Sequence, residues 1–300
     1  MNPLVGQLAA LGTAICWSFT ALFFSYSGRR IGSLVVSQSR LLFALLLLIL
    51  LHFFLEGSIF PLDAAPFRWG WLSVSSILGL VLGDTLLFYA FVMIGPRLST
   101  LMMSLVPIIN TIAGWILFDE LLGPLEILGT ALAVGGVFWV VSERRRGTDA
   151  AAERQYGRGI LLGLGGAVGQ ATNLLTARYG LVGGYSTLSA TLIRIFVAVL
   201  VLWGIALLRR SAGEMVRSWR DRPAFAALIA GTVVGPVLGI WLSLVAVQQA
   251  RIGIASTLMA LPPVLLIPIE YAIDRKPISA RSIVGTLIAL SGVALILLPR

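Results

Sequence analysis

Apolar residues fall along this chain in runs of about 20, separated by short polar breaks, and the runs recur from end to end. A helix crossing a bilayer needs about 20 mostly apolar residues at about 1.5 Å rise each. The runs predict ten helices over about 4–25, 34–55, 71–94, 98–118, 125–142, 158–178, 187–208, 224–247, 252–273 and 279–298. Alternation of apolar and polar residues at strand length is absent, which argues against a β-barrel. The first run follows Met1-Asn2-Pro3 with no basic stretch and is long for a leader's apolar segment, so it reads as a spanning helix. The expected fold is therefore all-α and polytopic, with the lipid bilayer as its surroundings.

Composition agrees: 58% hydrophobic and 12% charged residues leave too few charges to clothe a water-facing surface. The single cysteine, Cys16, permits neither an intrachain disulfide nor a zinc cluster, and no metal or cofactor is expected. The net charge of +9 looks like a nucleic-acid signal until the cations are placed. Sixteen of them fall in the breaks after odd-numbered runs, from Arg29 and Arg30 to Arg275, Lys276 and Arg281. Only Arg68, Arg178, Arg251 and Arg300 fall on the other side. By the positive-inside rule the odd breaks face the cytoplasm of a cell (inner) membrane and both termini face away from it. The charge is a topology signal, and no nucleic acid is expected as a partner.

The chain also repeats itself. A shift of 156 sets Gly79, Leu82, Gly83, Leu86 and Ala90 on Gly235, Leu238, Gly239, Leu242 and Ala246. The same shift sets Leu105 and Pro107 on Leu261 and Pro263, and Gly129, Thr130, Ala133 and Gly136 on Gly285, Thr286, Ala289 and Gly292. A shift of 154 sets Arg40-Leu-Leu-Phe-Ala on Arg194-Ile-Phe-Val-Ala. The expected organisation is a first five-helix repeat over 1–142, a polar linker over 143–157 and a second repeat over 158–300. Five is odd, so the second half enters the membrane from the opposite side. Inverted repeats of this kind give two conformations of similar energy about a central site, as alternating access requires.

In their order and duplication these signatures resemble the EamA-type ten-helix members of the drug/metabolite transporter superfamily. The resemblance is carried by Arg40-Leu-Leu-Phe-Ala-Leu-Leu and Arg194-Ile-Phe-Val-Ala-Val-Leu, then Gly83-Asp84-Thr85, then Ser104-Leu105-Val106-Pro107. Phe118-Asp119-Glu120, leading into Gly129 to Gly136, completes it. It covers about Gly6 to Leu298 and implies a secondary-active exporter of a small organic molecule, such as an amino acid, nucleobase or drug-like compound, without naming it. The second half departs from the pattern, with Ile240 opposite Asp84 and Lys276 opposite Glu120. A passive carrier, an exchanger or a lipid translocator on the same scaffold is the alternative. A membrane-embedded enzyme is disfavoured by the lone His52, the unpaired Asp84 and the absence of a Walker loop. A monomer is compatible with the pattern.

Ionised side chains inside a bilayer call for a reason, and Arg40, Asp84, Arg194 and Glu270 lie within predicted spans. The two arginines either snorkel to the headgroups or each guard one mouth of a cavity and attract anions. Asp84 is either a structural carboxyl bonded locally, as to Thr85, or a proton or ammonium site. It shares a helical face with Leu87, Phe88 and Phe91. Glu270 reads as an interfacial partner for nearby cations or as a coupling group. His52, Asp119 and Glu120 fall at helix ends and read as interfacial or loop-anchoring residues. Pro107 and Pro263, with Pro236, Pro262 and Pro268, break helical hydrogen bonding, which is tolerated where backbone faces protein or a wet cavity. The runs bearing Pro107 and Pro263 are expected to line that cavity. Asn110, Gln170 and Asn173, with Gln38, Gln248 and Gln249, remain as hydrogen-bonding groups for a substrate.

Overall fold

The computed structural model describes residues 2–103, 105–141, 150–210, 212–262, 264–266 and 280–297. Among these, six helices are long and apolar enough to cross a membrane: Pro3–Ile31, Leu34–Glu56, Pro66–Leu87, Gly157–Gly180, Thr187–Leu208 and Arg222–Gln249. Four shorter apolar helices, Leu105–Phe118, Pro124–Gly136, Ile252–Leu266 and Ile283–Leu295, take the places of the remaining expected spans.

The first half contains α1 (Pro3–Ile31), α2 (Ser33–Glu56), α3 (Pro66–Ser76), α4 (Asp84–Met103), α5 (Leu105–Phe118) and α6 (Pro124–Val141). The second contains α7 (Ala150–Gly180), α8 (Thr187–Leu208), α9 (Ala212–Ser218), α10 (Arg222–Thr232), α11 (Ile240–Gln249), α12 (Ile252–Met259) and α13 (Ala280–Leu297). Local chemistry sets many ends. Asn2 caps α1 ahead of Pro3, Ser186 accepts from the Ser189 amide at the start of α8, and Gly57 closes α2 in the left-handed conformation. Several boundaries differ from the sequence pattern: α1 runs on to Ile31, α3 starts at Pro66, and α7 starts at Ala150, inside the expected linker. Helical hydrogen bonding continues through Gly95 and Pro96 to Met103, where a break was expected, and the short α9 was not foreseen.

The repeat is written into the backbone. Between α3 and α4 lies a π-helical segment, Ile77–Gly83, and between α10 and α11 lies another, Val233–Gly239. Each boundary of the second is 156 positions after its counterpart. In a π turn the carbonyls tilt outward and one surplus residue is accommodated. Here the Leu78 carbonyl is turned toward α7, where a Cβ on Gly169 would come within 2.8 Å of it, so only glycine clears the crossing. Within the segments themselves the repeat also holds: a Cβ on Gly83 would come within 3.0 Å of the Leu78 carbonyl, and one on Gly239 within 3.4 Å of the matching Val234 carbonyl.

Helix pairing follows a two-fold rule. The first helix of each half packs on the third span of the other: α1 on α10, the second π segment and α11, and α7 on α3, the first π segment and α4. The second spans pair with each other as α2 and α8, the fourth as α5 and α12, and the fifth as α6 and α13. The last pair shows the symmetry at atomic level. A Cβ on Gly136 would stand 2.6 Å from the Ala289 nitrogen, and one on Gly292 would stand 2.5 Å from the Ala133 nitrogen. These are equivalent positions, and the close approach of small residues is how membrane helices gain packing without a hydrophobic drive between them. Leu46, Phe54, Leu128, Leu161, Leu200 and Leu207 lie on the outside, where a lipid-facing surface requires them.

Candidate functional site

Where α2, α4, α7 and α8 meet, five polar side chains form one continuous chain of bonds. The Arg40 guanidinium pairs with the Asp84 carboxylate through Oδ2. Asp84 Oδ1 accepts from Gln170 Nε2 at 2.7 Å, and Gln170 Oε1 accepts from Asn173 Nδ2 at 3.1 Å. Asn173 Oδ1 then accepts from Arg194 Nη2 and, at 2.8 Å, from the Ser75 hydroxyl. Ser75 also donates to the Asn173 carbonyl at 2.9 Å, and Ser76 donates to the Arg194 carbonyl at 2.6 Å. The two ends fix both amides. A guanidinium has only donors and an ionised carboxylate only acceptors, so Asn173 must turn its oxygen to Arg194 and Gln170 its nitrogen to Asp84. Donation therefore runs in one direction, from Arg194 to Asp84, and each bond polarises the next.

Arg40 and Arg194 each sit seven residues into their helices, about 10 Å from where those helices begin. The relay links these two equivalent positions, one in each half. Neither arginine snorkels: Arg40 is 2% exposed and Arg194 1%. Depth along one helix did not reveal that four others close around it. Arg40 also lies over the Phe24 ring, 5.7 Å from its centroid. Thr85 does not hold Asp84; its hydroxyl donates instead to the Val81 carbonyl at 2.5 Å.

Other expected residues fall elsewhere. Asn110 and Pro107 are buried on α5, outside the relay, and neither polar atom of the Asn110 amide has a hydrogen-bond partner among the described residues. The proline-bearing spans pack on one another, with Thr111 against Gly253, and α12 stops at Met259 just ahead of Pro262. Pro263, Pro268 and Glu270, and the Phe88 and Phe91 side chains, lie outside the described residues. Gln248 donates to the Tyr185 carbonyl and Gln249 accepts from the Asn2 amide, so both hold loops. His52, near the end of α2, is buried by protein, with Nδ1 on the Ser58 carbonyl at 2.6 Å and Nε2 on the Ser189 hydroxyl at 2.8 Å.

A second cluster, which sequence reasoning missed, closes one end of the molecule. Glu120 pairs with Arg178 on α7, and its Oε2 accepts from the Ile252 amide that opens α12, at 2.8 Å. Glu126 pairs with Arg251 and accepts from the Gly123 amide at 2.7 Å. Both acids belong to the first half and both arginines to the second. Arg68 donates to the Gly180 and Val182 carbonyls at 3.0 and 2.8 Å, closing off α7 at the same end. A cavity of about 160 Å³ lies beside the Arg251–Glu126 pair, lined by Gln7 and Gln249 among others, away from the relay. The available signal was Glu126 in the first turn behind Pro124, where an acid favours a helix N-terminus.

A polytopic membrane protein of two interlocked five-span repeats, joined by ion pairs between the halves and by a buried chain of polar side chains, has the construction of a transporter. The chain belongs to the EamA-like transporter family, whose profile matches it twice, over residues 4–142 and 157–298. A solved crystal structure of a protein at 17% identity superposes with a TM-score of 0.77, over 99% of this chain and 97% of its own, which shows the shared fold. No curated protein matched this sequence. The family is one of transporters and not of enzymes.

Proposed function

We propose that this chain is a secondary-active exporter of small organic metabolites that works by alternating access. The observation that carries the reading is the placement of the two clusters. The Arg40–Asp84–Gln170–Asn173–Arg194 relay joins the halves through buried side chains. The Glu120–Arg178 and Glu126–Arg251 pairs join them at one end, and the Arg30–Asp221 pair joins them at the other. Breaking the end pairs lets one half rock against the other about the relay. The Arg251–Glu126 pair is part-exposed and contributes about 1 kcal/mol or less, weak enough to open and close thermally.

In this reading substrate meets the relay, Asn110 offers a further amide, and a proton reaching Asp84 releases Arg40 from its partner. The end bearing Arg68, Arg178 and Arg251 faces away from the cytoplasm. Arg29, Arg30, Arg209, Arg210, Arg217, Arg220 and Arg222 are exposed at the opposite end, and a larger number of cations there is what the positive-inside rule favours for a cytoplasmic face.

The test compares metabolites released by cells with and without the chain, followed by uptake of the enriched compound into proteoliposomes under an imposed pH gradient. Gradient-driven flux that is lost in Asp84→Asn supports the reading. Flux indifferent to the gradient removes proton coupling and leaves a passive carrier or exchanger; unchanged export profiles remove the exporter.

A further inference from the structure

Charge does not balance within the relay. It contains two guanidiniums and one carboxylate, and Asp84 is committed to Arg40. Arg194 is 1% exposed, keeps its proton at any physiological pH, and makes one side-chain hydrogen bond through Nη2. Its Nε and Nη1 have no hydrogen-bond partner among the described residues. A buried cation with unpaired donors is costly, and nothing in packing alone calls for it.

The repeat shows what is missing. A Cβ on Gly79 would meet the Asn173 side chain, and one on its counterpart Gly235 would meet Thr20; Gly83 faces Gln170, and its counterpart Gly239 faces Trp17. Asn173 therefore corresponds to Thr20 and Gln170 to Trp17, as Asp84 corresponds to Ile240. On one side of the two-fold axis stand Asp84, Gln170 and Asn173; on the other stand Ile240, Trp17 and Thr20. Both arginines turn to the polar side. Arg40 finds a carboxylate on its own half's third span, whereas the residue that corresponds to that carboxylate in the second half is Ile240, which offers Arg194 no charge.

We propose that Arg194 is an anion-binding residue, and that the head group of an organic monoanion supplies the negative charge the second half lacks. The inference deepens the transport reading and rests on it for the fate of the bound anion. Head-group oxygens accept from Arg194 Nε and Nη1, and the apolar body lies toward Ile240 and Trp17. A cation entering the same place would meet an excess positive charge. The substrate class is thereby narrowed to small anions with an apolar portion.

Three rigid aromatic probes test this with one size and three fixed charges: benzenesulfonate, benzenesulfonamide and trimethylphenylammonium. The thermal midpoint of the purified full-length chain is read against probe concentration at constant ionic strength. Benzenesulfonate alone should raise it. Arg194→Gln should weaken the apparent affinity by about tenfold to a hundredfold, and Arg209→Gln, exposed beyond α8, should leave it unchanged. Ile240→Asp, which supplies an internal carboxylate, should weaken it as well, and decides the matter if Arg194→Gln does not fold. The proposal is overturned by no shift, by equal shifts from the sulfonamide, by preference for the ammonium, or by benzenesulfonate binding that survives both variants. Counterflow of labelled benzenesulfonate in proteoliposomes is scored separately. Binding without counterflow removes the transport reading and keeps the anion site, whereas counterflow of the ammonium alone removes the anion site and keeps transport.

Discussion

Replacing Asp84 by Asn changes one atom's identity and leaves two buried guanidiniums facing no carboxylate among the described residues. The Arg40 side chain is 3% exposed and that of Asp84 12%, so water cannot screen the change. Removing one partner from a buried pair costs about 3–5 kcal/mol, because the survivor stays desolvated and unpaired. Asn can still accept from Gln170 through Oδ1, but its Nδ2 then points a donor at Arg40. The cost should thus fall at about 3 kcal/mol or above. The double variant Asp84→Asn/Arg40→Gln returns the cluster to its original net charge and should recover about 2 kcal/mol of that loss, a coupling well outside additive error. Unfolding in mixed micelles, followed by tryptophan fluorescence across a denaturant series, reads both values. A single-variant cost below about 1 kcal/mol, or a double variant equal to the sum of its singles, would refute the claim that this pair is buried and isolated.

Two further outcomes follow from the geometry. Gly136→Ala and Gly292→Ala should each destabilise by about 1–3 kcal/mol and by similar amounts, since each Cβ would press on backbone of the partner helix. Gly135→Ala, with open space around it, should be close to neutral, and parity among all three in the same unfolding assay would dissolve the argument. At the opposite end, the Ala224 amide at 3.1 Å, followed by Arg30 at 2.9 Å, holds the Asp221 carboxyl below its ordinary value. A depressed carboxyl stabilises the fold above its unfolded value of about 3.9 and loses that contribution as pH falls through the folded value. The stability gap between wild type and Asp221→Asn should therefore narrow below about pH 4 in thermal melts; a gap that widens there would reverse the sign.

Much of the architecture was legible because glycine, proline and arginine punctuate the two halves at nearly constant shifts. Even the π segments fall at one shift, although no periodicity marks a π turn in advance. The relay was only partly legible. Arg40, Asp84 and Arg194 stood out as charges inside apolar runs, but Gln170 and Asn173 were merely polar leftovers on another span. What unites them is the packing of α7 from one half against α3 and α4 from the other, a contact between residues some 90 positions apart that no local pattern encodes. The same holds for Ser75, Ser76, Glu120 and Glu126, whose partners all lie in the other half except for the Gly123 amide. His52 was read only as a residue at a helix end; its partner Ser189, on α8 of the other half, was likewise not encoded locally.

The uneven sharing of the relay bears on how such a chain can have arisen. The first half contributes Arg40 and Asp84, and the second contributes Gln170, Asn173 and Arg194. Two copies of the first half would assemble two arginine–aspartate pairs with no amides between them; two copies of the second would set guanidinium against guanidinium with no acid. The ancestral symmetry survives in the backbone, but the side chains have divided the labour. Functionally the molecule is a heterodimer written as one polypeptide, and neither half could be exchanged for a second copy of the other.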